Sequence, residues 1–157
     1  MHVDLSPYIS KDLIFTNLKS STKNEVLSEI TKKLCTVKSK LSAEEIYIDI
    51  LKREELSTTG IGHGLAIPHC RVRTIDEIFI TIGTCPSGIE YNAVDGHPVQ
   101  LIFLVIGPKK NPEQFLYVFA ELAKRMSLPE IHDQIMHTSS ADEIYNHLIS
   151  NPQQITH

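Results

Sequence analysis

The chain has 157 residues, the size of a single domain, and a globule of that size buries roughly 70% of the surface its unfolded chain exposes. With 41% hydrophobic and 22% charged residues it lies far from disordered or collagen-like compositions. The charge of −4 comes from 19 acidic against 15 basic residues, the latter scattered in short groups such as Lys32-Lys33 and Lys109-Lys110. No basic stripe for nucleic acid forms.

The N-terminal Met1-His-Val-Asp-Leu-Ser-Pro lacks the basic start and apolar core of a secretory signal, and no apolar run approaches 18 residues. A cytoplasmic protein without membrane insertion is expected, one that could serve a transporter only by docking to it. Cys35, Cys70 and Cys85 have no C-x-x-C spacing and leave an odd thiol, which fits a reducing compartment and buried, unpaired cysteines.

Four pairs, Thr22 with Glu25, Ser42 with Glu45, Ser127 with Glu130 and Ser140 with Glu143, have the spacing of a capping box and predict four helix starts. Val26, Leu27, Ile30 and Leu34 then line one helical face, as do Ala43, Ile46, Tyr47, Ile50 and Leu51. Asn111-Pro112 offers an N-cap and a proline at N1. The helix after it, carrying Phe115, Leu116, Phe119, Leu122, Ala123 and Met126, should be the longest. Between these helices, Ile78–Ile82 and Val99–Ile106 read as strands, the second buried on both faces. Pro86-Ser-Gly88 and Asp95-Gly-His-Pro98 carry turn chemistry. Helices, strands and helices in that order predict one compact α/β domain over residues 1–157, with a central mixed sheet sandwiched between helices.

The informative segment is Leu56 to Arg73, which contains Gly60-Ile-Gly-His-Gly-Leu-Ala-Ile-Pro-His69. A dinucleotide G-x-G-x-x-G fails at Leu65 or Ile67, and no Walker lysine follows, so this is not a nucleotide cradle. Leu65-Ala-Ile67 suits a short core strand, and Pro68 biases Ile67 to an extended backbone, placing His69 at a rigid strand end. A neutral imidazole is nucleophilic near neutral pH, and phosphoryl transfer requires chiefly in-line positioning and donors around the equatorial oxygens. Arg53, Thr58, Thr59 and the glycine amides are candidates for those donors.

Leu56 to His69, down to the run Gly-Leu-Ala-Ile-Pro-His, resembles the phosphorylation-site motif of the mannitol/fructose type of enzyme IIA in the bacterial sugar phosphotransferase system. The resemblance extends over nearly the whole chain through Ser21-Thr-Lys-Asn-Glu-Val-Leu, Asp95-Gly-His-Pro-Val-Gln-Leu-Ile-Phe and Leu122-Ala-Lys-Arg. Thr58-Thr-Gly-Ile-Gly62 and the N-terminal segment are most similar to the nitrogen-regulatory branch. The resemblance implies that His69 is the phosphoryl acceptor and donor and that Arg53, sixteen positions earlier, stabilises the phosphate. A second histidine common in the family would fall on Phe115, so that role is absent. His63 stands where relatives often carry Asn or an acidic residue and is a candidate assistant. The donor implied is a histidine-phosphorylated phosphocarrier protein, and the acceptor a regulatory target or, if the chain is a transport subunit, a separate IIB component. No cofactor is implied.

A competing reading makes His63, His69 and Cys70 metal ligands with His97 as a fourth. In an extended segment, however, His69 and Cys70 point to opposite faces. The same geometry argues against Cys70 as a nucleophile paired with His69. His2, His132, His137, His147, His157 and the pair Lys124-Arg125 read as solvated, while Asp95 could lie in a loop that orients a histidine ring.

Overall fold

Helix placement follows from the caps. In a computed structural model that describes residues 4–150, Thr22 accepts the Glu25 amide at the start of α1 (Lys23–Val37). Ser42 and Ser140 likewise accept the amides of Glu45 and Glu143 at the starts of α2 (Ala43–Leu56) and a helix over Ala141–Ile149. Each hydroxyl satisfies one amide that the first helical turn leaves open. Ser127 does not. It ends α3 (Pro112–Met126), where its hydroxyl donates to the Lys124 carbonyl, and Leu128 precedes the next helix, α4 (Pro129–Met136). Pro129 at N1 sets that start one residue later than the Ser-x-x-Glu spacing implies. The helix over Ala141–Ile149 is α5. Asn111 precedes α3 in a left-handed conformation (φ 53°) without a side-chain cap, and α3 matches α1 at 15 residues rather than exceeding it.

The sheet has six strands: β1 (Ile9–Phe15), β2 (Gly60–Gly62), β3 (Leu65–Ala66), β4 (His69–Val72), β5 (Phe79–Ile89) and β6 (Val99–Pro108). Their order is β1-β5-β6-β3-β2, with β4 also paired to β6. β5 runs antiparallel to β6, while β1 is parallel to β5 and both β3 and β4 are parallel to β6, so the sheet is mixed. β1 precedes the helices and was not anticipated. Its partner lies more than sixty residues away, and Ser10-Lys11-Asp12 interrupt its apolar pattern. Pro86-Ser-Gly88 is not a turn between strands. It is an irregularity within β5, where the register against β6 shifts between Thr84 and Ile89.

Along β6 the side chains alternate between two cores, consistent with the strand period of two. Leu101, Phe103 and Val105 pack with Val118, Leu122, Ile131 and Ile144 on the side of α3, α4 and α5. Ile102, Leu104 and Ile106 pack with Val26, Ile30, Ile46 and Ile50 on the side of α1 and α2. The sheet is thus sandwiched between helices in one compact domain. Among the described residues no helix is long and apolar enough to cross a membrane.

Lys124 is exposed, but Arg125 is 2% exposed. The expectation of a solvated pair is corrected for Arg125 by what its guanidinium reaches: it donates to the carbonyls of Leu148 and Ser150 and lies 3.8 Å from Glu121. Those carbonyls terminate α5, so a cation from α3 fastens the C-terminal end of α5. Arg125→Ala would bury Glu121 without this cation and leave two carbonyls without this donor. The expected loss is about 3 kcal/mol of stability, read from urea unfolding. A change within about 0.5 kcal/mol would place the guanidinium outside the folding energetics.

Candidate functional site

β3 and β4 lie end to end along the same edge of β6, with Leu65 and Ala66 opposite Leu101 and Ile102, and His69 opposite Val105. Ile67 and Pro68 form the break between them. Proline has no N–H for the ladder, but its carbonyl accepts from Val105 at 3.0 Å, which carries the pairing across the gap. His69 therefore begins β4 as its first paired residue.

The His69 ring is half-buried and faces α3. The Phe119 ring meets it edge-on at 5.0 Å between centroids, and Phe115 lies at 6.3 Å. Phe115, the position onto which the resemblance maps the family's second histidine, thus borders His69 with a buried phenyl ring. Gly107 leaves room for that ring, since a Cβ there would stand 2.5 Å from Phe115 Cδ2. Nδ1 of His69 lies 3.1 Å from the Ile67 carbonyl oxygen. A carbonyl only accepts, so in the neutral ring Nδ1 carries the hydrogen and Nε2 the lone pair. Burial among these groups lowers the pKa of His69 from its ordinary value. The Ile67 carbonyl acts in the opposite direction, Arg53 lowers the pKa further and Glu54 raises it.

Arg53, in the last turn of α2, is half-buried; its Nη1 donates to the Ser57 carbonyl at 3.0 Å while its charge acts on the His69 ring. Thr59 is not available to a phosphate, because its amide and hydroxyl both bond to Glu54. Thr58 accepts the Gly60 amide at 3.1 Å.

His63 and Gly64 form the two-residue turn between β2 and β3, both with positive φ (57° and 76°). A type I′ hairpin turn requires such values, and histidine tolerates them better than most side chains. His63 is exposed. Its amide donates to Asp95 Oδ2 at 2.9 Å, and its carbonyl lies 2.7 Å from His132 Nε2. The two imidazole rings meet edge-on at 6.4 Å. Among the described residues no hydrogen bond or ring contact joins His63 to His69. Asp95 therefore reaches the β2–β3 turn through the His63 backbone amide, while its other oxygen accepts the His97 amide within its own turn, rather than by orienting a ring. His132 is correspondingly corrected from solvated to half-buried, with a partner in the site loop. His137 is exposed, His147 is half-buried, and His2 and His157 lie outside the described residues.

Cys70 points away from His69, into the core beneath α2, with Sγ 3.8 Å from Asp49. Burial and the Asp49 carboxylate push its thiol up to about 12, far from a nucleophilic thiolate. His69 and Cys70 therefore cannot share an ion, and among the described residues no group of three or more His, Cys, Asp or Glu side chains could hold one. Cys85 is buried and Cys35 half-buried, both as free thiols.

The family described as "Phosphoenolpyruvate-dependent sugar phosphotransferase system, EIIA 2" matches residues 7–151. The chain belongs to this family. This EIIA chain is 26% identical over 129 residues to a nitrogen regulatory protein of Pseudomonas aeruginosa, covering 82% of this chain and 84% of that one. It is 30% identical over 141 residues to a fructose-specific EIIABC component of Bacillus subtilis, covering 89% of this chain but only 22% of that longer protein. The crystal structure of the nitrogen regulatory protein IIA-Ntr from Neisseria meningitidis superposes with a TM-score of 0.85 at 28% identity, over 92% of this chain and 98% of that one.

In an NMR titration, His69 of this EIIA chain is expected to titrate below the ordinary imidazole value of about 6.5. Phe119→Ala, by admitting water, and Arg53→Gln, by removing a cation that disfavours imidazolium, should each raise the midpoint. The ring would then protonate at higher pH, so the parent keeps its neutral nucleophile to more acidic pH than either variant. If neither substitution moves the midpoint, Phe119 and Arg53 do not control the ring's charge.

Proposed function

We propose that this EIIA protein carries a phosphoryl group on Nε2 of His69, accepted from a histidine-phosphorylated phosphocarrier protein. The observation carrying this reading is the Nδ1 contact to the Ile67 carbonyl, which leaves the Nε2 lone pair for attack on phosphorus. As the new P–N bond forms, the donor's P–N bond breaks and its electron pair returns to the donor imidazole. The His69 Nδ1–H stays on the Ile67 carbonyl throughout. Arg53 supplies positive charge to the transferring phosphoryl oxygens, and His63, at the tip of the neighbouring turn, would assist only if its ring turned from His132 towards the phosphate. The exposed side chains of Leu116 on α3, which carries Phe115 and Phe119, and of Leu56 on α2, which carries Arg53, suit a transient protein partner rather than a small substrate.

The acceptor of the signal is a regulatory target. A phosphoryl group adds about −1.5 to −2 charges at one half-buried position, enough to change which partner binds. The likeness to nitrogen regulatory proteins over most of both lengths supports this role. The second reading, a sugar-transport subunit that passes phosphate to a separate IIB component, draws on the likeness to part of a fructose-specific EIIABC protein.

Labelled phosphoenolpyruvate with purified general components should label the parent and not His69→Ala. Arg53→Ala should remain folded and accept label about tenfold or more slowly, as loss of a cation at a transferring phosphoryl group implies. Label taken up by His69→Ala at the parent rate would remove His69 as the acceptor.

A further inference from the structure

Glu54 follows Arg53 in the last turn of α2, and its side chain is 5% exposed. Lys23 Nζ lies 2.8 Å from Glu54 Oε2 and 4.5 Å from the centroid of the Tyr91 ring. The carboxylate also accepts the Thr59 amide at 3.2 and 3.1 Å, the Thr59 hydroxyl and the Tyr91 hydroxyl at 3.2 Å. A buried carboxylate held by a cation, an amide and two hydroxyls is a fixed point that ties α1, α2, the start of the glycine segment and Tyr91 together. Among the described residues none of these groups hydrogen-bonds His69.

The route to the site runs through the backbone. The Thr59 carbonyl accepts the Ile67 N–H at 3.0 Å, and the Ile67 carbonyl accepts Nδ1–H of His69 at 3.1 Å. The peptide joining Ile67 to Pro68 has no N–H of its own. Its orientation therefore depends on the bonds on either side: Ile67 N–H to Thr59, and the Pro68 carbonyl to Val105. The first of these rests on a residue that Glu54 grips by both amide and hydroxyl.

We propose that Glu54 is a positioning residue for His69: by fixing Thr59 it fixes the Ile67 carbonyl, which holds the imidazole as the Nδ1–H tautomer with Nε2 turned to the phosphoryl donor. The proposal rests on the reading of His69 as acceptor and adds to it the origin of the ring's tautomer. Glu54 and Arg53 are adjacent in sequence and act on the ring with opposite charge, but only Glu54 also holds Thr59, whose carbonyl anchors the Ile67 N–H.

The test is imidazole ¹⁵N NMR on the full, unphosphorylated chain at about pH 8, where the ring is neutral. The parent should show His69 predominantly as the Nδ1–H form. Glu54→Gln should give a mixture with the Nε2–H form, and Tyr91→Phe, which removes one donor from the same carboxylate, a smaller shift in the same direction. At saturating phosphorylated phosphocarrier, Glu54→Gln should slow transfer about tenfold while the half-saturating concentration stays unchanged. If Glu54→Gln lowers the unfolding midpoint but leaves the tautomer unmoved, Glu54 is merely structural and the proposal fails. Should Glu54→Gln not fold, Tyr91→Phe decides on the same readout, and an unchanged tautomer there overturns it. The tautomer measurement needs no phosphate, so a parent that never takes up label would defeat the acceptor reading alone.

Discussion

Everything at the site depends on one strand being shared. β6 is buried along almost its whole length and pairs with β5 on one edge and with two successive segments, β3 and β4, on the other. A single unbroken strand on that second edge would keep a regular ladder and offer no proline-bounded carbonyl beside His69. The proline break frees one carbonyl, that of Ile67, at the position where the next side chain can reach it. The ladder closes again immediately through the Pro68 carbonyl, so the interruption is local and stiff. The site is a designed gap in an otherwise continuous edge.

Around that gap the protein opposes several influences on one ring. The phenyl rings of Phe115 and Phe119 remove water, and Arg53 adds positive charge, both favouring the neutral nucleophile. Glu54 and the Ile67 carbonyl act in the other direction, favouring a ring that carries charge. The proposed phosphoryl transfer would use both tendencies, because the ring must be neutral to accept and must bear positive character while the group is held. Their balance at His69 comes from elements far apart in sequence that meet at the open edge of the sheet.

What could be read from the sequence was local chemistry. The caps at Thr22, Ser42 and Ser140 depend on residues three positions apart, and all three form as spaced. Ser127 failed because a proline two residues on set its own start for α4. Pro86-Ser-Gly88 has turn composition, yet the pairing of β5 with β6 absorbed it as a register shift, a tertiary override of local preference. β1 shows no clear strand signal because its pairing with β5 and its packing against α1 and α5 come from residues distant in sequence. Arg125 and His132 looked solvated because nothing adjacent in sequence shows that α5 covers one and the β2–β3 turn meets the other. At the site, the glycine–proline run sets His69 at a strand start, whereas the charge of Arg53 reaches its ring only through the fold. The Glu54–Thr59–Tyr91 cluster was not legible, since Tyr91 arrives from a segment more than thirty residues downstream.

Which nitrogen carries the phosphoryl group can be read directly from the ³¹P–¹⁵N correlation of the phosphorylated protein with histidine ¹⁵N-labelled. The expected result is a single phosphohistidine, at position 69, with phosphorus bonded to Nε2 and Nδ1 still protonated. Phosphorus on Nδ1 of His69, or on any other histidine, would contradict it.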